Sequence, residues 1–369
     1  MAERGSKTLH YLDRYLGIPI LRFLGLFVSK KKILPKRIRR IAVFRTAAIG
    51  DTVLLSGILQ DLKIHYPSSE IVLFVGPSNF SVAPLIPSID KYIKLPIKNI
   101  FKSFILIRKE GLFDVCIDSG QWPRLDALLA FMVKANYCIG FKSENQFKHY
   151  IFNESILHLN TNHEISNFRN LVKPLGIIEN KRPSLNYKYS DNVNKLIEQT
   201  NEKYIIFHPW AGGMKSTIKE WPRENWISLC KTLLELGFDI FITGSMKDFL
   251  PSEKIIAGTN SSRVRNMAGK LSLEDTVALV SKATLLISVN TGIMHIGSAI
   301  DIPVIDLNGP TNSLRWGPLN TKSIPIDSPG QGCGFINLGF EYKNNPENCM
   351  TLITVSMVLD AINKILKRN

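Results

Sequence analysis

Two spacings of apolar residues alternate along this chain. Short runs rich in branched and aromatic residues predict buried strands: Arg39–Arg45, Ile71–Val75, Phe113–Ile117, Tyr204–Phe207, Asp239–Thr243, Leu285–Val289 and Val304–Leu307. Between them, stretches with apolar positions every three or four residues predict helices over 52–65, 125–135, 223–236, 273–280, 293–299 and 357–366. Strands alternating with helices define an α/β class of parallel sheets covered on both faces. The pattern lapses over residues 177–200, a polar stretch containing Pro183, and then restarts. This places two doubly wound domains at 39–185 and 186–348, a C-terminal helix in 349–369, and an arm in 1–38 ahead of the first strand.

The turns that follow the strands carry the candidate chemistry. After the first strand come Thr46-Ala47-Ala48-Ile49-Gly50-Asp51, with Asp51 at a helix start, where a carboxylate acts either as a cap or as a general base. One glycine in that turn is too few for a dinucleotide fingerprint, which excludes a nicotinamide or flavin enzyme. A glycine loop, Gly212-Gly213, precedes Lys215, Ser216, Thr217 and Lys219, cations and hydroxyls suited to a diphosphate. No GxxxxGK[ST] is present there, so this is not a nucleoside-triphosphatase loop. Asn290-Thr291-Gly292 opens a helix that carries His295 in its first turn, and Asn308-Gly309-Pro310-Thr311 ends the next strand. Two adjacent polar turns at strand ends, one with open helix N–H groups, predict a site for a phosphate-bearing ligand.

Charge changes the picture. The 369 residues hold 46 Lys and Arg against 31 Asp and Glu, a net of +15, so an anionic partner is expected. Residues 1–40 carry eleven of those bases, seven of them between Lys30 and Arg40. Leu9, Leu12, Tyr15 and Leu16 upstream repeat at helical spacing, and Ile18–Val28 is mostly apolar. Arg22 breaks that run, Gly17 and Pro19 are expected to disturb a helix, and no span is long enough to cross a bilayer. An apolar face followed by a polybasic cluster suits an anionic membrane surface, the alternative being a helix packed on the protein itself. The excess is confined to the arm and no aromatic stacking platform is evident, so nucleic acid is ranked last as a partner.

The five cysteines form no CxxC pair, which argues against a zinc site; no metal and no cofactor are expected. An odd count without an export signal predicts reduced thiols, and whether Cys333 and Cys349 lie close is open.

In combination, the Ile-Gly-Asp of 49–51, the Lys-x-Trp-Pro of 219–222, the Asn-Thr-Gly-x-x-His of 290–295 and the Gly-Pro-Thr-x4-Trp-Gly-Pro of 309–318 resemble the bacterial heptosyltransferases of glycosyltransferase family 9. The resemblance runs from about residue 39 to the C-terminus. It implies a GT-B architecture, two Rossmann-like domains facing a cleft, the first binding acceptor and the second nucleotide-sugar. It further implies inverting transfer without an essential metal, most directly of heptose from ADP-heptose onto a lipopolysaccharide core or related lipid-linked oligosaccharide. The alternatives are another donor on the same scaffold, or a nucleotide-sugar binder without catalysis. By position, Asp51 matches the catalytic aspartate and Lys219 the lysine at the donor phosphates. Thr291, Gly292 and His295 match the diphosphate motif, Gly309–Thr311 the neighbouring loop, and Asp248 an acidic residue facing the ribose. Ser216, Thr217 and Asn290 complete the expected donor set. Gly50, Asp118, Gly120 and Arg124, at strand ends of the first half, are assigned to the acceptor. Where the family usually reads Asp-Thr-Gly, Asn290 keeps the acceptor oxygen and loses the charge, which leaves the donor's identity open. The implied location is peripheral, on the cytoplasmic face of the bacterial inner membrane.

Overall fold

Ile41–Phe44 and Ile71–Val75 are almost wholly inaccessible to water, as strands covered on both faces require. In the computed structural model of the chain they form the centre of a six-stranded parallel sheet. The structure describes residues 11, 13–30, 32–122, 124–200, 203–213, 215–337, 341 and 348–367. Leu9, Leu12 and Lys31 of the arm lie outside the described residues.

The chain divides into two units, Met1–Ser184 and Leu185–Asn369. In unit one, α1 (Gly17–Gly25) precedes β1 (Arg40–Arg45), α2 (Ile49–His65), β2 (Glu70–Val75) and β3 (Lys91–Lys94). Then come α3 (Ile100–Lys109), β4 (Leu112–Asp118), α4 (Arg124–Met132), β5 (Lys134–Lys142), β6 (Glu154–Leu157) and α5 (Glu164–Val172). The sheet order is β3-β2-β1-β4-β5-β6, so the winding reverses between β1 and β4. Phe44, Phe74 and Phe113 fill the core under α3 and α4, and the Phe44 and Phe74 rings stack at 4.5 Å.

Unit two repeats the plan. α6 (Asp191–Glu198) leads into β7 (Tyr204–His208), α7 (Arg223–Glu235), β8 (Asp239–Ile242), α8 (Phe249–Thr259) and β9 (Val264–Asn266). After α9 (Leu273–Ser281) follow β10 (Leu285–Val289), α10 (Gly292–Ala299), β11 (Val304–Asn308), α11 (Ser313–Trp316), β12 (Ile324–Asp327) and α12 (Val355–Leu366). The order β12-β11-β10-β7-β8-β9 reverses between β7 and β10. In each sheet, then, the loops after the two strands at the reversal part to opposite faces and leave a crevice at the strand ends.

Residues 13–15 of the arm are helical, Leu16 is a turn and α1 restarts at Gly17, with Pro19 in its first turn where a missing N–H costs no bond, so the helix is interrupted at the expected place. One expectation changes. The thiol expectation holds for Cys116, Cys138 and Cys230 but fails for Cys333 and Cys349, which form a disulfide with their Cα atoms 5.8 Å apart. The backbone explains the pairing. Gly334 donates to the Gly309 carbonyl (3.0 Å) and Ile336 to that of Pro310 (2.7 Å). Met350 lies so close to Gly309 that a Cβ there would sit 2.4 Å from its sulfur, so both cysteines are drawn to the same loop.

The arm is built into unit one. Leu21 is buried against Ala127, Ile151 and Phe152. Asp13 binds the Arg124 guanidinium at 2.7 Å, and Asn153 donates to the Ser29 carbonyl at 2.7 Å. Lys30 donates to the carbonyls of His149 and Phe152. Gly25 has no side chain because Tyr150 occupies its place; a Cβ would meet that ring's stem at 2.8 Å. No helix among the described residues is long and apolar enough to cross a membrane.

Candidate active site

In unit one the residues around the β1–β4 reversal are tied to a buried guanidinium. Arg45, the last residue of β1, is only 2% exposed and reaches Asp51, in the first turn of α2, at 2.9 Å. It also donates to the Ser119 carbonyl (2.8 Å) and to the Gln121 side chain (2.6 Å), both beyond the end of β4. Gln121 in turn donates to Asp51 at 3.4 Å. A buried charge needs both a counter-charge and hydrogen bonds, and here all of them come from the two strand ends and the helix start. Asp51 also lies where the helix macrodipole favours a carboxylate. Gly50 is buried beside it.

The acceptor assignments of Asp118 and Arg124 are corrected. Asp118 is fully buried, paired with the equally buried Lys148 at 2.7 Å and receiving the Gly120 N–H at 2.8 Å. Burial pushes its carboxyl up to about 6, against the pull of Lys148. Lys148 also donates to the Gly120 carbonyl, and Thr46 to Asp126. Gly120 is there because a Cβ would strike the Asp126 carboxylate at 2.4 Å. Arg124 spends its guanidinium on Asp13 and on the Asn145 and Gln146 carbonyls, at 2.7 to 2.9 Å. Both are internal struts rather than ligand contacts. Sequence reasoning missed Arg45, Gln121 and Lys148; a lone basic residue closing an apolar strand was the available signal for Arg45.

In unit two the loops after β7, β8, β10 and β11 converge on the strand ends. Lys219 closes a short turn at Ser216–Lys219 and donates to the Gly212 carbonyl at 3.0 Å, while Thr217 is exposed and Ser216 half-exposed. Thr291 is the N-cap of α10, yet its hydroxyl makes no capping bond and instead meets Ser288 at 3.3 Å. The first N–H groups of α10, starting at Gly292, therefore lack a side-chain cap, the arrangement that suits an anion. His295, which closes the first turn of α10 with its N–H on the Thr291 carbonyl, is buried. On the neighbouring loop, Thr311 donates to Asn308 at 3.0 Å, and Gly309 faces Met350. His208, at the end of β7, bonds the Thr243 hydroxyl at 2.9 Å, and burial draws its imidazole down to about 4.

Two donor assignments have partners within the protein. Asp248, the last residue of the short helix Met246–Asp248, closes a capping box with Ser245, whose N–H and hydroxyl reach one of its carboxylate oxygens at 2.8 and 2.7 Å. Asn290 turns its amide inward to Asp306, at 3.2 and 3.4 Å. Asp306 is fully buried beneath the turn, and Asn308 donates to it at 2.7 Å. Burial pushes the Asp306 carboxyl up to about 7, opposed by the Asn308 and Asn290 amides.

Two doubly wound parallel sheets in sequence, each with polar loops at its strand ends, are the GT-B plan, and solved structures carry the same fold. A glycosyltransferase family 9 protein from Veillonella parvula superposes with a TM-score of 0.77 at 19% identity, over 90% of this chain and 98% of that one. ADP-heptose LPS heptosyltransferase II of E. coli gives 0.72 at 20% identity, over 89% and 99%. The sequence profile of glycosyltransferase family 9 (heptosyltransferase) matches residues 109–334. The chain belongs to that family. Lipooligosaccharide heptosyltransferase 2 of Haemophilus ducreyi is 24% identical over 355 residues, 89% of this chain and 99% of its own length. Lipopolysaccharide heptosyltransferase 3 of Escherichia coli is 24% identical over 295 residues, 74% of this chain and 84% of its own.

The Asn290–Asp306 contact gives a stability prediction. Asn290→Asp sets a second carboxylate against a buried one and is expected to cost about 1–3 kcal/mol in urea denaturation, with Asn290→Asp/Asp306→Asn recovering most of it. Asp306 binds its proton more tightly folded than at its ordinary value of about 3.9, so rising pH between about 4 and 7 works against the folded state. From pH 5 to pH 8 the parent should therefore lose stability relative to Asp306→Asn. Parallel pH profiles would show that Asp306 is ionised throughout.

Proposed function

We propose that this chain transfers heptose from ADP-heptose to a lipopolysaccharide core or a related lipid-linked oligosaccharide, with inversion at the anomeric carbon. The names of the full-length relatives support the sugar and the acceptor class. The observation that carries the reading is Asp51, held by Arg45 at the reversal point of the first sheet.

In this mechanism the acceptor hydroxyl oxygen attacks the anomeric carbon while its proton passes to Asp51 as general base. A new carbon–oxygen bond forms on one face of the sugar as the bond to the ADP oxygen breaks on the other, and that oxygen leaves with the electron pair. A single displacement inverts the centre. Charge growing on the diphosphate is met by Lys219 and by the N–H groups at Thr291 and Gly292, so the step needs no metal ion. Ser216, Thr217 and Thr311 supply hydroxyls around that diphosphate, and Gly309 shapes the neighbouring loop. His295, next along α10, belongs to the same donor set.

Asn290 does not call for a different donor. Its amide donates to the buried Asp306, where an aspartate would meet a second carboxylate, so the substitution has a reason within the protein. The arm, with Arg14, Arg22, Lys30 and Lys32 exposed, brings the enzyme to the anionic cytoplasmic surface of the inner membrane, where a lipid-linked acceptor lies.

Asp51→Asn should lower kcat by about 10²–10⁴-fold while the Kd for ADP, read by calorimetry, stays at the parental value. The substitution also leaves Arg45 without its counter-charge, so circular dichroism at the assay temperature establishes that the variant is folded. Turnover near the parental rate would reduce Asp51 to a helix cap. Lys219→Ala should weaken ADP binding by about 1.5–3 kcal/mol, the loss of one charge-assisted contact. Equal affinity in parent and variant would confine that lysine to its bond with the Gly212 carbonyl.

A further inference from the structure

The helices on one face of the unit-one sheet form a layer in which α4 packs against α1 on one side and α3 on the other. Helices that cover a sheet normally turn a charged face to water. This layer does not. Along α3, Phe101 is 69% exposed, and Ile100, Phe104 and Ile105 are each between 37% and 39% exposed. On α1 and just beyond it, Phe23, Leu26 and Phe27 are 60%, 79% and 71% exposed, although Leu21 on the opposite side of the same helix is buried. Between them, α4 shows half-exposed Leu125, Leu128, Phe131 and Met132, its two charged residues, Arg124 and Asp126, being buried.

Among the described residues the rim is mostly positive. Lys98, Lys102, Arg108 and Lys109 are exposed around α3, as are Arg14, Arg22, Lys30 and Lys32 around α1. The acidic neighbours are already used: Asp13 by Arg124 and Glu110 by Lys91, each pair at 2.7 Å. An apolar surface of this extent needs a cover, and a positive rim selects a negatively charged one.

We propose that the outer face of this α1–α4–α3 layer docks as a unit on an anionic lipid bilayer, with α3 inserting apolar side chains alongside the arm. This rests on the membrane reading of the arm and extends it: the arm is one edge of a three-helix surface, locked to it through Leu21 and the Asp13–Arg124 pair. Phe101 and Phe27 would enter the headgroup–acyl boundary, and the lysines and arginines would remain at headgroup level. A surface held at two edges also fixes which way unit one faces the membrane, which a flexible basic tail cannot do.

Co-sedimentation of the full chain with vesicles tests this, using phosphatidylcholine alone and an equal mixture with phosphatidylglycerol. The parent should pellet with the anionic mixture and much less with phosphatidylcholine. Phe101→Asp on α3 and Phe27→Asp on the arm should each lower the partition coefficient by about tenfold or more, since both place a charge where an apolar ring was inserted. Both sites are exposed, so the variants should keep parental melting temperatures and parental transfer to a detergent-dispersed acceptor. Loss of binding in Phe27→Asp with none in Phe101→Asp would confine the contact to the arm and overturn the proposal while leaving the arm reading standing. No binding by the parent would overturn both. Light scattering covers the remaining occupant: a lipid-free parent dimer that Phe101→Asp converts to monomer would assign the face to a second copy of the chain.

Discussion

A charged guanidinium inside a parallel sheet is tolerated only if every group around it is placed to answer it. Arg45 sets that condition for unit one. Its partners are Asp51 at the start of α2 and Ser119 and Gln121 past the end of β4, so this side chain ties together the two loops flanking the reversal, with Gln121–Asp51 and Thr46–Asp126 bonds beside it. The carboxylate proposed as the base is thus fixed in orientation by a contact that the fold itself needs. Asp51 as the partner of Arg45 and Asp51 as the proposed base are compatible: the macrodipole and the ion pair orient the carboxylate that the proposed chemistry would use.

Unit two meets the same topological point with a different solution. Its buried carboxyl, Asp306, lies under the turn rather than on it, and Asn308 and Asn290 are the donors that make it tolerable. The turn above stays neutral, and the α10 N-terminus is left without a side-chain cap. The first unit offers a fixed negative group, the second uncapped amide donors and Lys219, the groups on which the proposed displacement at a sugar diphosphate draws.

The alternation of strands and helices was legible because buried parallel strands read as unbroken apolar runs, as at Ile41–Phe44 and Leu285–Val289. Turn glycines and the four motifs marked the strand ends that carry the site. Elements with mixed patterns were lost: β5 carries exposed Lys134 and Asn136 in its first half, and α6 reads as polar because Val193 is its single buried residue. Pairings across the sequence were also invisible. Nothing local couples Asp118 to Lys148, Asn290 to Asp306, Arg124 to Asp13, or Cys333 to Cys349. Three of those partnerships move residues assigned to ligands, Asp118, Arg124 and Asn290, into the protein's own interior bonding. The arm's basic and apolar residues were readable, but α3 gave no signal that it would share an exposed apolar surface with them.

The central claim is inverting transfer from ADP-heptose. It is tested most directly by incubating the purified chain with ADP-heptose and a truncated lipopolysaccharide core, then reading the product's mass and its anomeric configuration by NMR. The account predicts ADP release that depends on acceptor, a gain of one heptose, and a linkage opposite in configuration to the donor's. A product of retained configuration, or ADP release without a glycosylated acceptor, would contradict it.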